Sequence, residues 1–180
     1  MMRTVFIWEL SGILFLILVG SLLHFTFEWS NRLPLVGVLS PVNESVWEHL
    51  KLGFGSLVLF SLIEYRFIRH EINNFLLAKG IGLVILQATI LIVFYTYTMF
   101  SGKPILAIDI SSYILGCVLC QSFSYFALTK VGEKNLLNAV GLLLMIIHAV
   151  LLVIFTFAPP KLPIFQDSHS LSYGIQWKAP

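Results

Sequence analysis

The chain has few charged residues. Only 11% of its 180 residues are Asp, Glu, Lys or Arg, whereas 58% are hydrophobic, and the mean hydropathy is +0.90. A soluble domain carries about 25% charged residues. The composition therefore excludes an ordinary soluble domain and predicts an integral membrane protein.

A basic tract and a cysteine framework are also missing. The Lys and Arg residues are scattered and the formal net charge is only +2, so nothing indicates nucleic-acid binding. The only cysteines, Cys117 and Cys120, lie three residues apart in an apolar segment, where a disulfide framework is not expected. A C-x-x-C pair can bind metal, but no second pair accompanies it, and we interpret both as packing residues.

Familiar catalytic motifs are absent as well. The chain contains no HExxH, no Gly-x-Ser-x-Gly and no P-loop. A catalytic or metal site would therefore be assembled from residues that are distant in the sequence.

What the chain does contain is five apolar segments, each long enough to cross a bilayer as a helix of about 20 residues. They cover approximately residues 5–27, 46–65, 75–99, 105–128 and 136–157. The last three connections are short, so neighbouring helices should be antiparallel. We expect a single all-α domain over residues 1–180, an integral membrane bundle of about five transmembrane helices, with a polar C-terminal tail at residues 158–180. The first apolar run is too long for a cleaved signal peptide, and we expect it to be a retained span.

The topology follows from the odd number of spans. The first loop, the third loop and the C-terminal tail should lie on one face of the cell membrane. The Lys and Arg residues of the opposite face lie in short loops close to the span ends, where the positive-inside rule has most force. We therefore expect the N-terminus to be cytoplasmic, and the first loop and the tail to be extracytoplasmic.

Residues 41–51, with the sequence PVNESVWEHLK, concentrate four ionisable side chains: Glu44, Glu48, His49 and Lys51. The twelve residues between Lys51 and position 64 would cover only about 18 Å as a helix, short of a hydrocarbon core of about 30 Å. The second span must therefore begin near residue 46. Glu48, His49 and Lys51 are then at or below the membrane boundary, where ionisable groups face the bundle interior, a water-filled cavity or one another.

The expected start of this helix is just ahead of Glu44, with Asn43 as N-cap. Such a helix would place Glu44, Glu48 and Lys51 on one face and turn His49 about 100° away. Two stacked carboxylates need a cation between them, which could be Lys51 or a metal ion. A salt-bridged helix start at the membrane surface is the simpler alternative.

Further polar residues are predicted at the same end of the bundle. His24 lies about one turn inside the end of the first span, with Glu28 at i+4 on the same face, which suits a ligand, a relay or an interfacial hydrogen bond. Asp109 lies at a depth where a carboxylate needs a partner, either in a site or in a salt bridge to Lys103 or Lys51. Residues 166–169 of the tail could fold back as a lid or form an ordinary polar tail.

Other ionisable and polar residues have simpler explanations. Glu9 and Glu64 belong to the opposite end, where we expect structural pairing of Glu64 with Arg66 or Lys79 near the interface. Deeper in the bundle, we expect three polar side chains to form interhelical hydrogen bonds. They are His148, Gln87 and Gln121.

Three stretches resemble a family of small prokaryotic multi-pass membrane proteins of unknown function. They are the run of residues 41–51, the upstream Leu23-His24-Phe25, and the late Pro159-Pro160 with Phe165-x-Asp167. The resemblance covers nearly the whole chain. It implies that the polar face is the signature of the family, and it supplies no activity.

The first functional hypothesis is a metal-dependent intramembrane hydrolase or transferase that acts on a lipid or amphipathic substrate. The catalytic set would be Glu44, Glu48 and His49, with Glu44 as general base on a bound water. The cofactor would be a divalent metal such as zinc, which favours imidazole nitrogen and carboxylate oxygen held by rigid helices. Its ligands would be His24, Glu48, His49 and Asp109.

Two alternatives remain open. A small proton- or cation-coupled transporter or channel component would use Glu44, Glu48, Asp109, His24 and His148 as a path, although no inverted repeat supports it. A structural or immunity-type membrane protein would have no chemistry. A haem carrier using His24 and His148 is disfavoured because the two depths differ. Membrane lipids are the only partners that the sequence predicts, and it does not predict an oligomeric state.

Overall fold

Five long α-helices account for the five apolar segments. The computed structural model describes residues 2–132 and 134–175, and its helices are α1 (Met2–Trp29), α2 (Pro34–Gly37), α3 (Val46–Ile68), α4 (Phe75–Ser101), α5 (Leu106–Lys130) and α6 (Asn135–Phe157). A single 3₁₀ turn follows at Pro163–Phe165. The described residues form no β-strand, only an isolated bridge between Gln166 and Tyr173. All helices except the short α2 are long and apolar enough to cross a membrane, which confirms the all-α prediction and places every span end within three residues of its expected position.

The central helix of the bundle is α4, which packs against α3, α5 and α6, while α1 packs against α3 and α5. The core contains buried residues such as Leu16, Leu57, Leu83 and Leu86. Apolar residues are also exposed on the outer faces, for example Leu18 on α1. Helices that are apolar on every side are expected where the surrounding solvent is lipid.

Small residues allow α4 and α6 to approach closely. A Cβ atom added to Gly141 would collide with the backbone of Leu76 and Leu77, and one added to Gly80 would meet the backbone of Gly141. Membrane helices gain packing energy at such glycine contacts because there is little hydrophobic driving force between them in lipid. The contact fixes α6, and with it the tail, against the rest of the bundle.

Helix α3 starts two residues later than the sequence predicted, so the expectation of Asn43 as N-cap was wrong. Ser45 is the N-cap, and its hydroxyl accepts a hydrogen bond from the Glu48 amide at 3.3 Å. The Asn43 side chain instead accepts from the Ser45 amide at 2.9 Å and donates to the Gly174 carbonyl at 3.0 Å. Glu44 therefore precedes the helix and is not stacked on Glu48.

The tail folds back over the start of α3. Phe165 packs against Trp47, with ring centroids 4.9 Å apart, and both rings contact Phe155 of α6. An Asp167 carboxylate oxygen accepts a hydrogen bond from the Glu44 amide at 2.8 Å. The motif and the tail thus lie at the same end of the bundle, as an odd number of spans requires; residues 176–180 of the predicted tail are outside the described residues.

Candidate metal centre at the helix ends

Three metal-ligating side chains converge at this end of the bundle: His24 from α1, Glu44 from the loop and His49 from α3. The two imidazole Nε2 atoms are 3.2 Å apart. A Glu44 carboxylate oxygen lies 3.4 Å from Nε2 of His49 and 3.8 Å from Nε2 of His24. One ligand atom from each residue can therefore face a common centre.

The orientation of the His49 ring is fixed by the backbone. Its Nδ1 lies 2.8 Å from the carbonyl oxygen of Ser45. A carbonyl oxygen only accepts, so Nδ1 carries a hydrogen, and Nε2 is the nitrogen that faces His24 and Glu44 and would bind a metal ion after losing its own proton. Metal-binding histidines commonly use such a bond from the other ring nitrogen to set tautomer and orientation.

The separations fit tetrahedral zinc coordination. With Zn–N and Zn–O bonds of about 2.0–2.1 Å, neighbouring ligand atoms in a tetrahedron are about 3.3 Å apart. The observed 3.2, 3.4 and 3.8 Å are close to this value. Three protein ligands leave a fourth position for water or substrate, which is the pattern of catalytic rather than structural zinc sites.

The group is open on one side. Each imidazole side chain is 30% exposed and the Glu44 side chain is 43% exposed. The hydrogen bond with His49 is the main cause that holds the pKa of Glu44 below its ordinary value, against the opposing effect of partial burial. Glu44 is therefore an anion at neutral pH, as a metal ligand must be.

Glu48, predicted as a ligand, lies elsewhere. Its Oε2 is 2.6 Å from Nζ of Lys51 and accepts from the Val42 amide at 3.0 Å, while its Oε1 accepts from the Thr156 hydroxyl at 3.3 Å. Glu48 and Lys51 are both almost fully buried. Successive residues on a helix point about 100° apart, so the face that carries Glu48 into the bundle turns His49 toward His24.

The loop before α3 is tied down by the same lysine. Nζ of Lys51 donates to the carbonyl oxygen of Gly37 at 2.6 Å and to that of Ser40 at 3.4 Å. The Ser40 hydroxyl in turn accepts from the Phe27 amide and donates to the Leu23 carbonyl oxygen of α1. The buried pair Glu48–Lys51 thus holds the loop that precedes Glu44, and Ser40 links this loop to α1, which carries His24.

Asp109, the other predicted ligand, is not within the three-residue group either. It accepts a hydrogen bond from the Tyr97 hydroxyl at 2.7 Å, and no ion pair joins it to Lys103 or Lys51 among the described residues. It is half-buried and close enough to His49 for its charge to act on the imidazole. Its place is beside the candidate centre.

The remaining predicted partners are separate from the three ligands. Glu28 pairs with the Arg32 guanidinium at 2.7 Å instead of with His24. The His148 ring Nδ1 lies 3.2 Å from the Leu144 carbonyl oxygen of its own helix, and no interhelical hydrogen bond of His148 is found among the described residues, so the prediction for this member of the trio was wrong. The side-chain amides of Gln87 and Gln121 lie 3.4 Å from backbone carbonyl oxygens of α3 and α1, which is interhelical hydrogen bonding as expected.

The tail, which the sequence suggested could fold back as a lid, supplies a carboxylate that binds the backbone beside the candidate centre. The Asp167 carboxylate accepts from the amides of Glu44, His169 and Ser170 at 2.6–2.8 Å. Burial acts to raise the pKa of Asp167, but these amide hydrogen bonds outweigh it and hold the pKa below its ordinary value. Asp167 therefore fixes the backbone of the Glu44 ligand.

One sequence signal could have placed the start of α3 correctly. Ser45-x-x-Glu48 has the spacing of a capping box, in which the serine is the N-cap and the glutamate is the third helical residue. Only the first half of the box forms here, because the Glu48 carboxylate is bound by Lys51 and the Val42 amide. With Ser45 as N-cap, Glu44 is placed before the helix.

Comparison with known proteins adds one match. A family model described as a family of unknown function (DUF6512) matches residues 1–175. No curated protein and no solved structure matches the chain.

Proposed function

The chain belongs to this family of unknown function, and we propose that it is a metal-dependent membrane enzyme, a hydrolase or transferase acting on a lipid or another amphipathic substrate. The observation that carries the proposal is the pair of imidazole Nε2 atoms 3.2 Å apart with a carboxylate oxygen beside both. This donor set is typical of zinc and of related divalent metals.

The proposed ligands are His24, Glu44 and His49. Glu44 thus takes the ligand role that the sequence assigned to Glu48, because both Glu48 oxygens have other partners inside the bundle. A zinc ion in an open three-ligand site lowers the pKa of a bound water to about 7 and polarises a carbonyl or phosphoryl oxygen. The Ser45 carbonyl holds the His49 ring in place for this purpose.

A further carboxylate lies within electrostatic reach of His49. Once Glu44 is a ligand, the general-base role predicted for it falls to Asp109, the carboxylate whose charge acts on His49. The Tyr97 hydroxyl orients Asp109 through a 2.7 Å hydrogen bond. We assign to Asp109 the transfer of a proton to or from the reacting group.

The surroundings of the ligands favour a lipid-derived substrate. His24 lies five residues before the end of α1, about 7.5 Å along the helix axis, which puts it close to the boundary of the hydrocarbon core. Large apolar side chains near this end of α1 and in the following loop are exposed. These are Phe25, Trp29, Leu33, Leu35 and Leu39. A substrate with an apolar chain could therefore reach the ligands from the bilayer.

Metal analysis of detergent-purified protein tests the proposal. The wild-type protein should bind about one equivalent of zinc or of another divalent transition metal, and a His24→Ala/His49→Ala double variant should bind none. The His148→Ala variant is the matched control, because His148 is also a histidine in a membrane helix but bonds its own helix turn. A metal-loaded wild-type sample would then be screened for cleavage of lipid esters and phosphodiesters.

Two results would overturn the proposal. The first is a folded, monodisperse wild-type protein that binds no divalent metal when supplied with it. The second is metal binding that the double variant retains in full. A folded protein that binds metal but turns over no lipid substrate would instead remove the enzyme hypothesis and leave a metal site.

The transporter remains the second candidate. The observation in its favour is another buried charged group, Glu9 with Glu64 and Lys79, at the opposite end of the bundle. Buried apolar side chains, among them Leu16 and Leu57, occupy the core between the two ends. A continuous polar path needs water or polar groups at that level, so we rank the transporter second.

A further inference from the structure

A second cluster of buried charges joins α1, α3 and α4. Nζ of Lys79 lies 2.6 Å from Glu64 Oε2 and 2.9 Å from Glu9 Oε1. Glu9 is 3% exposed, and Glu64 and Lys79 are both 0% exposed. The sequence suggested pairing near the interface, but the packing of three helices places all three side chains in the protein interior.

The hydrogen bonds of the cluster are incomplete. Lys79 also donates to the Ser124 hydroxyl at 2.9 Å, and that hydroxyl donates to Glu9 Oε1 at 2.7 Å. An ammonium has three hydrogens, and the three oxygens close to Nζ of Lys79 are Glu64 Oε2, Glu9 Oε1 and Ser124 Oγ. Glu9 Oε2 and Glu64 Oε1 are buried without a hydrogen-bond partner within the described part of the chain, and Glu64 Oε2 forms its 2.6 Å ion pair with Lys79 without hydrogen-bond geometry.

The charges do not balance either. Two carboxylates around one ammonium leave a formal charge of −1 if all three groups are ionised. An uncompensated charge inside a membrane helix bundle is costly, and two carboxylates that share one site normally retain a proton between them. A proton on either carboxyl would neutralise the cluster and supply an O–H donor on a carboxyl oxygen.

A cavity borders this cluster at Lys79. It has a volume of about 530 Å³ and lies between α3, α4 and α6. Its lining includes Lys79, Ser61 and Asn138, and it extends to the exposed residue Arg69 after the end of α3. The Ser61 hydroxyl is buried without a partner among the described residues, so this mostly apolar cavity is lined by one unpartnered hydroxyl as well as by the Lys79 side chain.

We propose that Glu9, Glu64 and Lys79 form a proton-binding site that holds one proton between the two carboxylates and exchanges it with the Arg69 face through this cavity. Uptake transfers one proton from a hydronium ion in the cavity to a carboxylate oxygen, which leaves water, and release reverses this transfer. The proposal is independent of the metal centre, since it uses residues at the other end of the bundle.

The groups around the shared proton come from every packed element. Ser124 of α5 bonds Glu9 and Lys79 directly, and Cys120 of α5 interacts electrostatically with all three charged residues. The polar cavity lining adds Ser61 and Tyr65 of α3, Asn138 of α6, and Arg69 and Asn74 between α3 and α4. The Phe60 ring lies 5.8 Å from Nζ of Lys79, and the Phe75 ring, 5.3 Å away, belongs to the lining of the cavity. Lys79 is the member of the cluster that lines the cavity, so exchange is expected from that side.

Infrared spectroscopy of the full-length protein in liposomes tests the site directly. At neutral pH the wild type should show a carbonyl band of a protonated carboxylic acid, and the band should shift in D₂O. Both Glu64→Gln and Glu9→Gln should lose it, because the remaining carboxylate and Lys79 then form a neutral ion pair. Glu28→Gln should keep the band, since Glu28 is paired with Arg32 outside the core.

Three outcomes would contradict the proposal. The wild type could lack the band at neutral pH, the band could fail to shift in D₂O, or it could survive in both glutamine variants. If one variant does not fold, the other still removes one carboxylate, and the wild-type measurement needs neither.

The cavity route has its own test. Ser61→Leu should fill part of the cavity and slow the D₂O shift of the carboxyl band, whereas Ser61→Ala removes the hydroxyl without filling space and should exchange as fast as wild type. Equal exchange rates in Ser61→Leu and wild type would show that the proton does not travel through the cavity.

Discussion

Glu48 and His49 are neighbours in the chain, yet their side chains serve different purposes. The Glu48 carboxylate is enclosed by Lys51, the Val42 amide and Thr156, while the His49 imidazole faces His24. Removing one partner of an ion pair as deeply buried as Glu48–Lys51 destabilises the fold, because the other charge is left buried without a partner. The same motif therefore contains one structural carboxylate and one candidate ligand.

Substitution of Glu48 and of Glu44 by glutamine should affect different properties of the protein. Glu48→Gln should lower the free energy of unfolding by about 3 kcal/mol or more, because it leaves the Lys51 ammonium buried without a counter-ion. Glu44→Gln should change stability by less than about 1 kcal/mol, since the side chain is 43% exposed, but it should weaken metal binding. Denaturation of the detergent-purified variants and metal titration measure the two effects.

Glu28→Gln is the control for this pair, because it removes an exposed partner of Arg32 and should alter neither property. If Glu48→Gln lost metal at unchanged stability, Glu48 would be a ligand as the sequence first suggested. Stability loss in Glu44→Gln without any effect on metal would remove Glu44 from the proposed centre.

The tail acts as a separate element that closes over the start of α3. Its 3₁₀ turn packs Phe165 on Trp47, and Asp167 binds three backbone amides, including that of Glu44. Hydrogen bonds to a charged acceptor are stronger than neutral ones, at about 1.5–3 kcal/mol net. The position of the Glu44 ligand therefore depends on a carboxylate more than a hundred residues away in the sequence.

Docking of the tail should depend on pH through Asp167. Its pKa in the folded protein is below the ordinary value of 3.8, so the unfolded or undocked tail binds the proton more tightly. The stabilisation is fully present above about pH 4 and is lost as pH falls through the lower pKa of the docked state. Hydrogen exchange of residues 159–175, corrected for the intrinsic pH dependence of exchange, measures the effect.

Asp167→Asn should cost about 1.5 kcal/mol of tail protection at neutral pH and abolish this acid dependence. Ser168→Ala, which changes an exposed residue of the same turn, should retain both. Protection that is equal in wild type and Asp167→Asn at neutral pH would mean that aromatic packing alone holds the tail.

The whole molecule has polar groups at both ends and an apolar core between them. The metal candidates lie at the end that holds the tail, and the Glu9–Lys79–Glu64 cluster lies toward the other. Lys51 and Lys79 are buried with carboxylate partners, so neither contributes a loop charge to the positive-inside balance. Lys51 drops out of the count of positive charges on the side of the first loop and tail, and Lys79 drops out on the opposite side. The difference between the two sides, and with it the expected orientation, is unchanged.

Sidedness can be measured by cysteine labelling in intact cells. A membrane-impermeant thiol reagent should label Ser168→Cys in the tail but not His70→Cys in the loop between α3 and α4, because we expect the tail to be extracytoplasmic. Both positions are exposed, whereas the native Cys117 and Cys120 are fully buried and should stay unlabelled. Labelling of His70→Cys alone would reverse the orientation, and labelling of both positions would contradict the five-span topology.

Hydropathy and length by themselves determined the five spans, the all-α class and the common end of the bundle that holds motif and tail, because membrane insertion depends on the summed transfer energies of consecutive residues. The tertiary structure alone decided which carboxylate meets the two imidazoles and which two glutamates share Lys79. A shift of two residues in the start of α3 took Glu44 off the helix, and each residue along a helix turns the side-chain direction by about 100°. Such angles, and contacts such as those of Glu9 with Lys79 or of Asp167 with Glu44, are set by helix packing rather than by the local sequence.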